Sequence, residues 1–432
     1  MLSEGGLIIL NPDKPKMELK RVVVTGIGAL TPLGNNLNDY WNGLVNGVSG
    51  ADAITLFDAS KFKTKFACEV KNFDPTQFMD RKEARKIDRF TQLAIVASDE
   101  AMANAGLSKE NVNPDRTGVI FGSGIGGLIT FQNEVMDFAK GDGTPRYNPF
   151  FIPKMILDIA AGHISMRHNL RGPNFAVVSA CASSTNGIME AYNLIRLGKA
   201  DILLSGGSEA VISEAGVGGF NAMKAMSERN DDPKTASRPY DKDRDGFVMG
   251  EAAGILVLEE LEHALARGAK IYCEIAGAGA TADAHHITAP HPEGLGAKNV
   301  MLAALKDAGM QPEDIDYINT HGTSTPLGDI AEIKAIGEVF GEHAYKLNIS
   351  STKSMTGHCL GAAGVIEAIA CIMALKHGIV PPTINHFTDD PELDTKLNFT
   401  FNKAQTRPIR AALSNTFGFG GHNAAIIVKH YE

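Results

Sequence analysis

The chain has only five cysteines in 432 residues, at positions 68, 181, 273, 359 and 371, with no C-x-x-C among them. An odd, scattered set argues against a disulfide framework or a cysteine-rich zinc cluster and suits a reducing cytoplasm. Positive charge is also short: 41 Lys and Arg face 50 Asp and Glu, a net charge of −9. That balance argues against nucleic acid or an anionic membrane held by bulk charge, so an acidic partner would need a local basic patch. No apolar run is read as approaching the ~18 residues of a membrane helix. The early GGLIIL stretch lacks a preceding basic region, which speaks against a signal peptide or an anchor. Residues 1–16 read as an N-terminal extension, either ahead of a true start at Met17 or as an ordered arm packed on the body or on a neighbouring subunit.

What the chain does have is core: 44% of it is hydrophobic and 21% charged, enough at ~150 residues per domain for two or three domains' worth of interior. Short β-branched runs (RVVVTG, TGVIFG, NFAVVSA, ILLSGG, GILVLEE) alternate with longer Ala-rich helical stretches, the rhythm of an α/β protein with buried strands. Residues 217–250, dense in Gly, Asp, Pro and Arg, read as an irregular region too long for an ordinary connection. From Ile271 the strand-then-glycine pattern restarts, so two similar halves are expected, 17–269 and 270–432. Two successive α/β units without common descent remain the alternative.

Gly122, Gly124 and Gly127 in GSGIGG match a dinucleotide-binding glycine pattern after a strand. The acid at the expected distance, Asp142, falls in a loop, so close backbone packing is the favoured reading. More telling is NFAVVSACASSTNG, where a buried strand runs into a helix with Cys181 at the turn. A helix amino terminus there is expected to lower the thiol pKa and to offer N–H groups to an oxyanion; a small core cysteine is the competing reading. The second half supplies His321 in NTHGTSTP and His358 in SSTKSMTGH, each among small residues that let a substrate approach. Lys353 adds a cation five residues before His358.

The elbow, HGTSTP, SSTKSMTGH and the closing NTFGFGGHN resemble the β-ketoacyl-[acyl-carrier-protein] synthases, type II most nearly, over residues 19–432. The resemblance implies the thiolase fold, two similar α/β halves in a five-layered αβαβα body, a homodimer, and no metal or redox cofactor. By matching motif it makes Cys181 the acylated nucleophile. His321 and His358 become the histidines that promote decarboxylation of a malonyl thioester, with Lys353 in support. Asp329, Glu332 and Glu367 are expected to fix loops or partner Lys353. Phe419 becomes a mobile gate and backbone oxyanion donor, and Ile125 a wall of the acyl pocket. The implied reaction is condensation of an acyl thioester with malonyl-acyl-carrier-protein in fatty acid elongation. A polyketide ketosynthase and a non-catalytic chain-length partner are the alternatives. Ala252, where glycine is usual, and Cys359, where leucine is usual, depart from the pattern. For an acidic carrier protein, Arg81, Arg85 and Arg89, with Lys82 and Lys86 beside them, would form a basic stripe if RKEARKIDRF is helical; a solvated helix face is the plain reading.

Overall fold

Strand β1, Val22–Leu30, is buried at all nine positions, which is why its sequence is a continuous apolar run and not an alternation. The structure, a computed structural model, describes residues 18–431. The N-terminal extension and Met17 therefore lie outside the described residues. After β1 the first half contributes β2 (Thr117–Gly122), β3 (Asn174–Val177), β4 (Ile202–Glu209) and β5 (Ala252–Glu260). The second contributes β6 (Cys273–Ala282), β7 (Tyr317–Asn319), β8 (Asn348–Ser350), β9 (Ala411–Gly418) and β10 (His422–Lys429).

Their spatial order is β3-β2-β4-β5-β1 followed by β6-β10-β9-β7-β8. Numbered within each half, both read 3-2-4-5-1. The sense of pairing also repeats: strands 2–3 and 2–4 are parallel, strands 4–5 and 5–1 antiparallel, in each. The first strands of the halves meet antiparallel at Val23 and Val24, opposite Glu274 and Cys273. Identical order and sense are far more specific than the sequence likeness that suggested two halves.

Helices fill three layers. Arg89–Asn104 (α1) and Ile159–His168 (α2) share one outer core with β2, β4 and β5. Ser183–Arg196 (α3) and Ala363–His377 (α6) lie in the central core between the two five-stranded halves of the sheet, and Leu295–Ala308 (α4) with Pro326–Phe340 (α5) in the other outer core. This is the five-layered thiolase fold. The central position corrects one expectation: residues Leu360–His377 form an 18-residue helical stretch with mean hydropathy 1.5, long and apolar enough to cross a membrane, and 89% of it is buried inside the protein. A helix packed on all sides needs no polar face.

The region read as irregular begins inside a helix, Glu214–Ala222, capped by Ser213. Beyond it the chain is tied down by charge: Arg244 reaches Asp390 at 2.6 Å and Asp329 at 3.4 Å. Asp241 accepts N–H bonds from Phe387 and Thr388. Ala252 begins β5 with its backbone outside the left-handed region, so the side chain there costs no strain.

Candidate active site

Cys181 stands at a strained turn between β3 and α3: Ala180 has φ 51°, and a single 3₁₀ turn, Ala180–Ala182, leads into the helix. The strain aims the thiol away from the sheet and toward residues of the second half. His358 Nε2 lies 3.1 Å from Cys181 Sγ. The His321 ring stands edge-on to His358, centroids 5.2 Å apart and planes at 88°. Thiol and both imidazoles line one cavity of about 340 Å³, with Phe220, Phe417 and Phe419 among its walls. The Phe419 backbone N–H bonds to the Cys181 sulfur. Gly418 permits this approach, because a Cβ there would lie 2.7 Å from the Ser179 carbonyl and 3.1 Å from the Cys181 nitrogen.

Each histidine is held through its backbone. Glu332 accepts the His321 and Gly322 N–H groups at 2.9 and 2.8 Å. His358 donates its N–H to the Val248 carbonyl at 2.7 Å and takes the Gly250 N–H at 2.9 Å. Lys353 is buried and ion-paired with Glu367, which is thus the carboxylate at the ammonium. Asp329 instead accepts the Tyr240 N–H at 3.1 Å and faces Arg244.

Electrostatics correct the expectation for the thiol. Burial pushes Cys181 up to about 12, and the Lys353 cation and the Phe419 N–H only partly offset it. The helix amino terminus does not win, because Cys181 is 8% exposed and a thiolate there loses its hydration. Burial, then Lys353, holds both histidines well below the usual 6.5, so they are neutral at neutral pH. Glu332 and Glu367 are each raised to about 7 by burial, and Asp329 to about 6. A neutral thiol beside a neutral imidazole is disfavoured from forming a resting ion pair by these opposite shifts, so the proton transfers only as sulfur attacks an electrophile.

Two expected placements differ. Ile125 is 36% exposed and absent from the cavity lining; its N–H is pinned 3.1 Å from Glu209 and its side chain faces outward. The basic segment is not one helix: Arg81–Ala84 makes a single turn, and Asp88 caps a new helix starting at Arg89. Arg89 turns inward to pair with Glu251 at 2.6 Å, while Arg81, Lys82, Arg85 and Lys86 are exposed. Cys359 is fully buried in the central core with its thiol 3.6 Å from the Thr356 carbonyl. The glycine pattern of GSGIGG is also accounted for, since its N–H groups converge on the Glu209 carboxylate and not on an open phosphate site. Glu209 was missed in the sequence; its signal is a lone acid ending the apolar run ILLSGGSE.

The β-ketoacyl synthase N-terminal domain matches residues 19–264, and the β-ketoacyl synthase C-terminal domain residues 272–387. Among similar proteins, 3-oxoacyl-[acyl-carrier-protein] synthase 2 of Synechocystis sp. (strain ATCC 27184 / PCC 6803 / Kazusa) is 50% identical over 96% of this chain and 99% of its own length. The protein of the same name from Staphylococcus aureus (strain N315) is 51% identical with the same coverage. Among solved structures, the ishigamide ketosynthase/chain length factor superposes with a TM-score of 0.89 at 35% identity, covering 96% of this chain and 100% of that one. A type II PKS acyl-carrier protein complex with its ketosynthase gives 0.86 at 32%, with the same coverage. Both family domains, in order and over most of the chain, meet at the thiol and two imidazoles of one cavity: the chain belongs to the β-ketoacyl synthases.

Proposed function

We propose that this chain is a type II 3-oxoacyl-[acyl-carrier-protein] synthase that elongates fatty acyl chains by decarboxylative condensation. The observation that carries the reading is the Cys181 thiol 3.1 Å from a neutral His358, with His321 across the same cavity. The thiol proton passes to His358 Nε2 as sulfur attacks the acyl thioester. The Cys181 and Phe419 N–H groups receive the oxyanion, and as it collapses His358 returns the proton to the carrier sulfur, which leaves as its thiol. A malonyl thioester then enters. Its carbonyl accepts hydrogen bonds from His321 and His358 as carbon dioxide departs. The resulting carbanion attacks the acyl carbon and releases Cys181 as a thiolate, which takes up one proton from solvent to restore the resting thiol. Burial, with the Lys353 cation beside them, keeps the imidazoles neutral, and hydrogen-bond donation to a carbonyl requires no net charge on the ring.

The donor and acceptor are acyl and malonyl thioesters of an acidic acyl carrier protein, docked at the exposed Arg81, Lys82, Arg85 and Lys86. Residues 17–269 carry the nucleophile and 270–432 the histidines. The working form is a cytoplasmic homodimer, supported by an edge strand flanked by exposed apolar side chains: Phe175 40%, Val178 57%, Met166 65% and Ile152 55%. Ile125, exposed in the single chain, is assigned to a wall of the acyl pocket that a second subunit completes. Phe419, half-buried between glycines, is the gate.

A polyketide ketosynthase is the second reading, favoured by the ketosynthase structures this chain superposes on. The deciding assay supplies the purified protein with a series of acyl-carrier substrates and malonyl-carrier. Saturated 3-oxoacyl products two carbons longer, formed by this protein alone, support the proposal; no condensation without a partner subunit overturns it.

A further inference from the structure

Beneath the cavity lies a buried carboxylate that the condensation steps do not use. Glu209, at the end of β4, is wholly inaccessible to solvent. It accepts hydrogen bonds from Ser123 Oγ (3.1 Å) and from the backbone N–H groups of Gly124 (2.8 Å), Ile125 (3.1 Å) and Gly126 (3.0 Å). A further donor comes from the other half of the molecule, the Gly361 N–H at 3.1 Å. A ring of N–H groups aimed at one carboxylate is an anion nest whose anion is built in.

Gly361 occupies a telling position. Leu360 has φ 47°, and a single 3₁₀ turn, Leu360–Ala362, leads into α6, as Ala180 (φ 51°) and the turn Ala180–Ala182 lead into α3. The Gly361 turn is thus the second half's copy of the nucleophile elbow, with glycine where the first half has Cys181. Glu209 reaches into that copy and accepts its N–H. The fit leaves no room for a side chain: a Cβ on Gly361 would overlap the Gly124 nitrogen and Glu209 Oε2, and one on Gly124 would lie 2.8 Å from Glu209 Oε2 and 3.1 Å from the Ala180 carbonyl. The loop that Glu209 gathers therefore rests directly on the residue before Cys181. The turn it gathers follows His358 by three residues.

We propose that Glu209 is a positioning residue of the condensing site: it clamps the GSGIGG loop to the Gly361 turn and so sets the spacing between the Cys181 elbow and His358. The inference rests on the reading of Cys181 and His358 as the reacting pair. Glu209 touches no substrate. It acts by fixing two backbone segments from opposite halves that otherwise share no covalent connection near the site.

The test uses the full-length E209Q, G361A and double variants, with condensation measured on acyl- and malonyl-carrier. The neutral amide keeps the shape of Glu209 but opposes N–H donors with an NH₂ group, and the added methyl wedges the same contact from the other side. Each single variant is expected to lower kcat by about 10- to 100-fold, the scale for misplacing a reacting group by ~1 Å, with KM for both carriers within about threefold of the parent. The double variant should be no slower than the slower single, because both break one clamp. Multiplying losses, or parent kcat in a folded single variant, would overturn the proposal. If E209Q does not fold, S123A removes one of the bonds to Glu209 and should lower kcat about threefold with KM unchanged; parent kcat there overturns it as well. Failure of the underlying reading is distinguishable, since a parent protein that forms no acyl-enzyme at Cys181 would refute that reading before any variant is compared.

Discussion

A thiol raised to about 12 is almost wholly protonated at neutral pH, so the nucleophile at residue 181 is generated only as its proton moves to His358 Nε2, 3.1 Å away. Alkylation of Cys181 by iodoacetamide, followed by mass spectrometry, should therefore climb about tenfold per pH unit through pH 10. A plateau below pH 8 would falsify the protonated resting state. The same geometry separates the chemical roles. Cys181→Ala should abolish acyl-enzyme formation and condensation while leaving some malonyl-carrier decarboxylation. His321→Ala or His358→Ala should lower carbon dioxide release by ~10²–10³-fold, as for loss of one oxyanion donor. His358→Ala should also slow acylation, because the proton acceptor is gone; acylation at the parent rate would remove His358 from that step. Lys353 and Glu367 pair where water is excluded. Lys353→Met should cost about 3–5 kcal/mol, the scale for removing one partner of a buried ion pair. Adding Glu367→Met should recover part of that in thermal unfolding; additive losses would show that the pair is not coupled.

Two elements carry the proposed route of substrate to these residues. The segment from Arg81 to Arg89 divides its charges: the exposed Arg81, Lys82, Arg85 and Lys86 face solvent, whereas Arg89 is committed to Glu251. Reversing Arg81 and Arg85 to Glu should raise KM for acyl-carrier several-fold with a small thioester unaffected, whereas Arg89→Ala should lower stability by leaving the buried Glu251 unpaired. Equal effects of the reversals on both substrates would remove docking as their explanation. The turn from β9 to β10 carries the other element, Phe419 among glycines. Gly418→Ala forces a methyl into the elbow backbone and should withdraw the Phe419 N–H from Cys181, lowering kcat by ~10²-fold or more. A condensation rate near the parent's would mean that this N–H is not an oxyanion donor.

At the scale of the whole molecule the two halves use one topology for different ends. The first places a cysteine at its elbow, and the second places a glycine there and sends its histidines across to the first. The proposed homodimer would join at the edge strand β3, where Phe175 and the following Val178 are exposed. Phe175→Asp with Val178→Asp should give a monomer by light scattering, with the described fold retained by circular dichroism and acyl selectivity altered because Ile125 is left uncovered. A dimer of unchanged mass would place the interface elsewhere.

The amino-acid sequence by itself determined the α/β class, the restart after Ile271, and the residues that meet in the cavity. Cys181 and His321 follow strand ends and His358 follows the short helix Lys353–Thr356, all among small residues, and such local signals survive in one dimension. Only the tertiary structure decided how those residues behave. The thiol's proton affinity follows from how much water the fold removes, which no helix amino terminus in the sequence reveals. The apolar stretch Leu360–His377 is a central helix and not a membrane span because the two halves of the sheet close over it. Arg89 leaves the basic stripe because Glu251, 162 residues away in sequence, is brought to it. Glu209 stayed invisible for the same reason: its donors come from GSGIGG and from Gly361, and a contact between distant segments has no periodicity or spacing to read until the chain has folded.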